Sequence, residues 1–260
     1  MAVTRQPRPK QLPWLAPGEP LPAATQAWGA QDPVPGLLAA GGALDVDSLL
    51  GAYRGGVFPW FSEGQPILWW SPDPRMVLQV ERFRLHRSFA RTLRRFTDAG
   101  ARCEIRFDHD FEAVIDACSR VPRAGQSGTW ILPKMIEAYT RMHRAGHAHS
   151  VETWVDGRLA GGLYCVGIGR AVFGESMFAL QPDASKIALS ALVAFCRSHG
   201  IAQIDCQQNT AHLASLGAAE MPRSVFLSRV AQATQRPSPK WEFEPVYWNS
   251  LLPAPPSSTT

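Results

Sequence analysis

The 260-residue sequence predicts an α+β fold, and residues 150–205 carry most of that prediction. Three strand-like runs at 150–155, 159–168 and 171–178 follow one another closely, and Asp156-Gly157 provides a hairpin turn signal between the first two. A helix is expected over 184–199, and a short strand at 201–205 follows it. Antiparallel hairpins beside a strand that returns after a helix are typical of mixed α+β or α/β domains.

Shifts in composition divide the chain into four parts. Residues 1–36 contain eight prolines, which fix φ and remove backbone donors, so we expect an irregular arm. Residues 37–73 are predicted to form a small N-terminal domain, with a short helix that Asp47 caps and Gly55-Gly56 ends. Residues 74–252 are predicted to form the larger domain, and the Pro/Ser/Thr-rich residues 253–260 a loose tail.

One segment of the chain is strongly basic. Residues 82–106 contain eight arginines and two acids, whereas the rest of the chain has 18 basic and 20 acidic residues. Residues 82–96 are predicted to form an amphipathic helix, and no acid within it offers an ion pair. We expect arginines of this segment to contact nucleic-acid phosphates, although a solvated helix face is the ordinary alternative. The candidate phosphate contacts are Arg84, Arg87, Arg91, Arg94 and Arg95.

Several individual side chains are candidates for a site. Trp60 and Trp130 follow turn-prone segments and are suited to stacking on unpaired bases, whereas Trp69-Trp70 are expected in the core. Glu175 is a single charge within an apolar strand, so it needs a partner if buried. Asp205 ends a predicted strand just before Gln207, where binding residues are common. Taken singly, each acid is more often structural: Glu175 as one partner of a buried pair, and Asp205 as a helix N-cap or turn acceptor.

Other classes of protein are disfavoured. The sequence has no Walker A or G-x-G-x-x-G motif, and His147 and His149 lack further residues at ligand spacing, so no metal site is expected. Five cysteines without a C-x-x-C pair favour a reducing cytoplasm. No signal peptide and no membrane span are expected, since no apolar run is long enough.

The sequence resembles the bacterial leucyl/phenylalanyl-tRNA–protein transferase family between Leu37 and Trp248. The segments that carry the resemblance occur in order, and Trp-Trp-Ser-Pro-Asp-Pro-Arg is the most specific of them. They are Phe58-Pro59-Trp60-Phe61-Ser62, Ile67-Leu68-Trp69-Trp70-Ser71-Pro72-Asp73-Pro74-Arg75, Gly128-Thr129-Trp130-Ile131, Gly146-His147-Ala148-His149-Ser150, Gly174-Glu175-Ser176-Met177-Phe178, Ala184-Ser185-Lys186, Ile204-Asp205-Cys206-Gln207 and Ala214-Ser215-Leu216-Gly217.

The resemblance implies a small N-terminal domain followed by a GNAT-type acetyltransferase-like domain. It implies transfer of Leu or Phe, and less readily Met, from aminoacyl-tRNA to proteins that begin with Arg or Lys, which marks them for N-end-rule degradation. It also implies a cytoplasmic enzyme without a metal or another cofactor, and we expect a monomer with no membrane partner.

The resemblance also implies roles for individual residues. Asp205, Gln207 and Glu175 are the implied catalytic residues, and Trp60 and Trp130 would border the terminal adenosine of the tRNA. The implied pocket for the amino-acid side chain consists of Leu163, Met177, Leu189, Leu192 and Ile204.

The expected chemistry is aminolysis of an ester without a covalent intermediate. An α-amine has a pKa of about 7.7–8.0, so a useful fraction is neutral at pH 7. Asp205 is expected either to accept a hydrogen bond from this amine or to orient Gln207 so that the Gln207 carbonyl does so. Two alternatives remain: an acetyl-CoA-dependent N-acetyltransferase, disfavoured because residues 181–186 contain no glycine, and a non-catalytic RNA-binding module.

Overall fold

A computed structural model describes residues 11–121 and 131–252, which form two β-sheets. The smaller sheet has the strand order β1-β2-β4-β3. Its strands are β1 (Trp14–Leu15), β2 (Leu37–Gly41), β3 (Phe58–Pro59) and β4 (Leu68–Trp70). Trp69 and Trp70 are buried, as expected from the sequence. Helix α1 (Val46–Arg54) packs against this sheet and completes a small N-terminal domain, so the α+β fold and this domain are both observed.

The larger sheet contains seven strands among the described residues, in the order β11-β5-β10-β9-β8-β7-β6. They are β5 (Arg75–Gln79), β6 (Cys103–Phe107), β7 (Ala148–Val155), β8 (Arg158–Ile168), β9 (Ala171–Ala179), β10 (Gln203–Gln207) and β11 (Ala219–Met221). Strands β6 to β9 are antiparallel neighbours, and β9 and β10 are parallel. A parallel pair needs a crossover, and the helix predicted between these strands provides it.

Helices cover both faces of the larger sheet. They are α2 (Arg87–Asp98), α3 (Phe111–Arg120), α4 (Pro133–Arg144), α5 (Ala184–Ser198), α6 (Ala211–Ser215) and α7 (Arg223–Ala233). One core cluster joins α2 and α5 to side chains such as Leu163 and Ile204. The other joins α3, α4, α7 and the N-terminal domain to side chains such as Tyr164 and Phe173. Because neighbouring strand residues point to opposite faces, the two clusters lie on the two sides of the sheet.

Three local expectations are wrong. The basic helix begins at Arg87 rather than at residue 82, because the Arg84 N–H donates to Leu216 O and not to a helical turn. Helix α1 is capped by Asp45, not Asp47, since Asp45 Oδ1 accepts a hydrogen bond from Ser48 N at 2.9 Å. The described part of the proline-rich arm is not wholly irregular, because β1 pairs in parallel with β2.

Candidate active site

Two β-bulges interrupt the sheet where β9 and β10 stop pairing. Tyr164 lies opposite Ser176 and Cys165 opposite Gly174, so Glu175 is the extra residue of β9. Strand β10 has a similar irregularity against β5 between Asp205 and Gln207. A bulge re-aims the side chains around it, and both bulges fall at the point where the parallel pairing ends.

A cavity of about 280 Å³ opens between β9 and β10 beyond that point. The five apolar side chains expected to form a pocket all line it, namely Leu163, Met177, Leu189, Leu192 and Ile204. The three expected catalytic residues Glu175, Asp205 and Gln207 line it as well. The structure therefore brings an apolar chamber and a polar cluster together in one cavity.

The Glu175 carboxylate is held by two phenols from separate elements. Tyr53 Oη of α1 donates to Glu175 Oε1 at 2.7 Å, and Tyr139 Oη of α4 donates to Glu175 Oε2 at 3.3 Å. Burial raises the pKa of Glu175 to about 8, and the nearby Asp205 charge acts in the same direction, whereas the hydrogen bond from Tyr53 opposes the shift. The pKa of Glu175 therefore lies well above its ordinary value, and the N-terminal domain contacts the site directly through Tyr53.

The Asp205 carboxylate is fully engaged by a buried arginine. Arg75 Nε donates to Asp205 Oδ1 at 2.8 Å and Arg75 Nη2 donates to Asp205 Oδ2 at 2.6 Å, and neither side chain is more than 2% exposed. The Arg75 guanidinium also lies over the rings of Phe58 and Phe226, 4.7 and 4.6 Å from their centroids. Of the two roles expected for Asp205, this geometry favours orienting Gln207 over binding the amine.

Gln207 is the polar side chain that connects the two acids. Its backbone N–H donates to Asp205 Oδ1 at 2.9 Å, and its side-chain Nε2 donates to Glu175 Oε1 at 2.8 Å. Its φ of +61° lies in the left-handed region, so the contacts on either side hold a conformation that a glutamine rarely adopts. With Nε2 donating to Glu175, the Gln207 carbonyl Oε1 has no hydrogen bond within the described residues and remains available to the cavity.

The sequence reasoning missed three residues of this site. Arg75, Tyr53 and Tyr139 are fully buried and bind the two acids. A signal for Arg75 does exist, since an arginine that opens the apolar strand Arg75–Gln79 needs a buried partner. In the sequence Tyr53 belongs to the apolar face of its helix, and nothing local distinguishes its hydroxyl.

Trp60, one of the two tryptophans expected near the adenosine, is not among the described residues that line the cavity. Trp60 is partly exposed and meets Trp70 edge-on, with 5.6 Å between ring centroids. Trp70 Nε1 also donates to Trp60 O, which fixes the Trp60 backbone. Trp130 lies outside the described residues.

The expected arginine face is exposed to solvent. Phe89, Leu93 and Phe96 of α2 are buried against the sheet, so the arginines of the helix point outward. The five candidates Arg84, Arg87, Arg91, Arg94 and Arg95 are all exposed, and no ion pair engages them within residues 11–121 and 131–252. Arg84 lies in the segment just before the helix, where it is exposed as well.

Comparison with known proteins identifies the family. A model described as leucyl/phenylalanyl-tRNA protein transferase matches residues 77–231, and its N-terminal domain model matches residues 42–73. The chain belongs to the leucyl/phenylalanyl-tRNA–protein transferase family. It is therefore an enzyme of the transferase class, as the resemblance implied.

Relatives similar over nearly the whole chain carry the same name. A leucyl/phenylalanyl-tRNA–protein transferase from Polaromonas sp. is 64% identical over 95% of this chain and 96% of its own length. One from Albidiferax ferrireducens is 60% identical over 94% and 96%, and one from Burkholderia pseudomallei is 52% identical over 95% and 97%.

The chain also shows a weak similarity to one solved structure of unknown function. A functionally unknown conserved protein from Staphylococcus epidermidis aligns over 72% of this chain and 68% of its own, with 10% identity and a TM-score of 0.34, too low to support an argument. In the portion of this transferase that the structure describes, no helix is long and apolar enough to cross a membrane.

Proposed function

We propose that this transferase moves Leu or Phe, and less readily Met, from aminoacyl-tRNA to the N-terminal Arg or Lys of acceptor proteins. The observation that carries the proposal is the single cavity in which five apolar side chains adjoin Glu175, Asp205 and Gln207. The apolar part suits the side chain of a leucine or phenylalanine esterified to tRNA, and the polar cluster beside it offers hydrogen bonds to the incoming amine.

The reaction is aminolysis of the aminoacyl ester. The neutral α-amine attacks the ester carbonyl carbon, a C–N bond forms, and the C–O bond to the ribose 3′-oxygen breaks. The proton lost by the amine passes to that leaving oxygen, with the adjacent 2′-hydroxyl as its carrier. Because the ester is already activated, the enzyme needs no covalent intermediate, metal or other cofactor; it must orient the amine and the ester.

Each polar residue of the cavity has a distinct task in this proposal. Gln207 is not a base, so its Oε1 accepts a hydrogen bond from the incoming amine and orients the nitrogen. Glu175 fixes the Gln207 amide through Nε2, and Asp205 fixes the Gln207 backbone while Arg75 holds Asp205. For this task the Gln207 amide must keep its Oε1 free for the amine. The hydrogen bond from Gln207 Nε2 to Glu175 Oε1 holds the amide in that orientation.

The tRNA is proposed to reach this cavity along the arginines of α2. Arg84, Arg87, Arg91, Arg94 and Arg95 contact backbone phosphates, and Trp60 and Trp130 border the terminal adenosine.

We also propose that residues 74–252 form a GNAT-like catalytic domain. The parallel pair β9–β10 within a largely antiparallel sheet supports this proposal. The enzyme acts as a cytoplasmic monomer, and its products enter N-end-rule degradation.

One experiment tests the proposal against both alternatives. The full chain is given Phe-tRNA labelled in the amino acid, together with a peptide that begins with Arg or a matched peptide that begins with Ala. Label transfer to the Arg peptide alone supports the proposal. Acetyl-CoA consumption without tRNA would instead indicate an N-acetyltransferase, and tRNA binding without transfer a non-catalytic RNA-binding module.

A further inference from the structure

A second cavity, of about 230 Å³, lies toward the opposite ends of strands β9 and β10. Its walls come from the start of β9, from the segment between α5 and β10, and from α7. Three arginines line it, namely Arg170, Arg229 and Arg236. Asp205 is the single acid among the described residues that line this cavity, and Arg75 already occupies both of its carboxylate oxygens. The cavity is therefore strongly cationic.

The fold brings these arginines together from separate elements. The backbone N–H groups of Arg170 and Arg236 both donate to Ala233 O at the end of α7, at 2.9 and 3.2 Å. This shared acceptor holds the turn before β9 against the segment that follows α7. Arg229 of α7 reaches across to β10, where its Nη1 donates to Gln203 Oε1 at 3.2 Å.

The Arg170 side chain does not serve to stabilise the end of α7. Its backbone N–H, not its guanidinium, makes the contact with the carbonyl of Ala233. Arg170 Nε is buried and has no hydrogen-bond partner in the described part of the chain. A Cβ at Gly200 would come within 3.2 Å of Arg170 Nη1, so the guanidinium fits a space that the glycine leaves. Arg170 lines the cavity and no ion pair engages it in the described part of the chain, so its charge is left uncompensated, and an anion bound in the cavity would compensate it.

We propose that this cavity is a binding site for a phosphate group, separate from the site of aminoacyl transfer. Guanidinium groups bind phosphate oxygens through paired N–H donors, and three arginines lining one cavity suit the charge of a phosphate better than that of a single carboxylate. Gln203 and Gln232 add amide groups to the lining. The phosphate comes either from a free compound, such as inorganic phosphate or a mononucleotide, or from the backbone of an RNA.

The test uses the full chain and three matched variants. Arg170→Gln and Arg236→Gln each remove one charge from the cavity, and Arg158→Gln removes one from the exposed start of β8 as a control. Binding of inorganic phosphate and of AMP is measured by calorimetry, and binding of uncharged tRNA is measured as a function of salt. Arg236 is exposed, so its variant reports on binding even if Arg170→Gln impairs folding, which thermal unfolding detects.

The results of this test distinguish a free phosphate compound from an RNA phosphate, and they can also show that the cavity binds neither. Saturable binding of phosphate or AMP that both cavity variants weaken about tenfold, while Arg158→Gln does not, assigns a free phosphate compound. A salt dependence of tRNA binding that both cavity variants flatten, without saturable binding of the small probes, assigns an RNA phosphate. The proposal is overturned if neither cavity variant changes any of these measurements, or if Arg158→Gln changes them equally.

Discussion

Arg75 and Asp205, 130 positions apart in the chain, form a bidentate ion pair that is almost completely buried beneath the candidate active site. The pair joins the first strand of the larger sheet to the strand that carries Gln207. Asp205 Oδ1 also accepts the Gln207 backbone N–H, so the ion pair is connected to the backbone of the residue whose side chain is proposed to orient the amine. A structural contact and the reaction geometry therefore depend on the same carboxylate.

Replacing Arg75 by Met should destabilise the protein strongly. The variant leaves Asp205 buried without its partner, and breaking a buried pair in this way costs about 3–5 kcal/mol. The matched control is Arg102→Met, which removes the partner of Asp156 from an exposed pair and should change the free energy of unfolding little. Urea unfolding measures both values. Equal losses of unfolding free energy in the two variants would show that burial does not make the loss of the Arg75 partner more costly.

A double substitution tests whether Asp205 acts through its pairing. In Arg75→Met with Asp205→Leu no buried charge is left alone, so the double variant should unfold at a higher urea concentration than Arg75→Met alone. Its transfer activity should still be low, because Gln207 has lost the carboxylate that holds its backbone. Recovery of wild-type activity along with stability would contradict the orienting role of Asp205.

The raised pKa of Glu175 predicts a specific dependence of stability on pH. The folded carboxyl ionises near pH 8, whereas its ordinary value is 4.5. Between these values the unfolded chain releases the proton and the folded chain keeps it, so this carboxyl's contribution to stability declines as the pH rises toward 8. Relative to Glu175→Gln, the wild type should lose unfolding free energy from pH 5 to 8 and then stay level.

The pH profile needs an exposed carboxyl as control. Glu63→Gln removes an exposed acid from the N-terminal domain and should follow the wild-type profile in parallel. Urea unfolding of the three proteins at intervals from pH 5 to 9 provides the comparison. A constant difference between wild type and Glu175→Gln over this range would show that Glu175 ionises normally.

The apolar end of the cavity should determine which amino acid is transferred. Met177→Phe places a larger side chain in the lining and should lower kcat/KM for Phe-tRNA about tenfold more than for Leu-tRNA, because the phenyl ring needs more room. Leu159→Met changes a partly buried residue of β8 that does not line the cavity and should alter neither value. An equal effect of Met177→Phe on both substrates would place their side chains elsewhere.

The arginine face of α2 should contribute a salt-dependent part of tRNA binding. Arg87→Ala and Arg91→Ala should each weaken binding and reduce the slope of log K against log salt by about 0.7–0.9 for a phosphate contact. Arg158→Ala, at the exposed start of β8, has the same change in charge and should leave the slope unchanged. A slope that stays constant in the two helix variants would remove α2 from the tRNA interface.

Local sequence patterns are sufficient for much of the fold but not for the way the site is held together. The hairpins of β7–β9 and the helix α5 follow from alternation, a turn signal and apolar periodicity, which depend on neighbouring residues. The bulge at Glu175 does not, because the register between strands depends on pairing across the sheet. Tyr53, Arg75 and Tyr139 reach the two acids from distant parts of the chain, and only the assembled fold brings them there. The pocket residues are identified through family resemblance, not from their local pattern.

The most direct test of the central claim is a crystal structure with a non-hydrolysable phenylalanyl-adenosine analogue. The proposal predicts that the phenyl ring lies between Leu163, Met177 and Leu189, with the carbonyl carbon facing Gln207 and the adenosine toward Trp60. Binding of the ring outside this cavity, with Gln207 remote from the carbonyl, would contradict the proposed geometry of aminoacyl transfer.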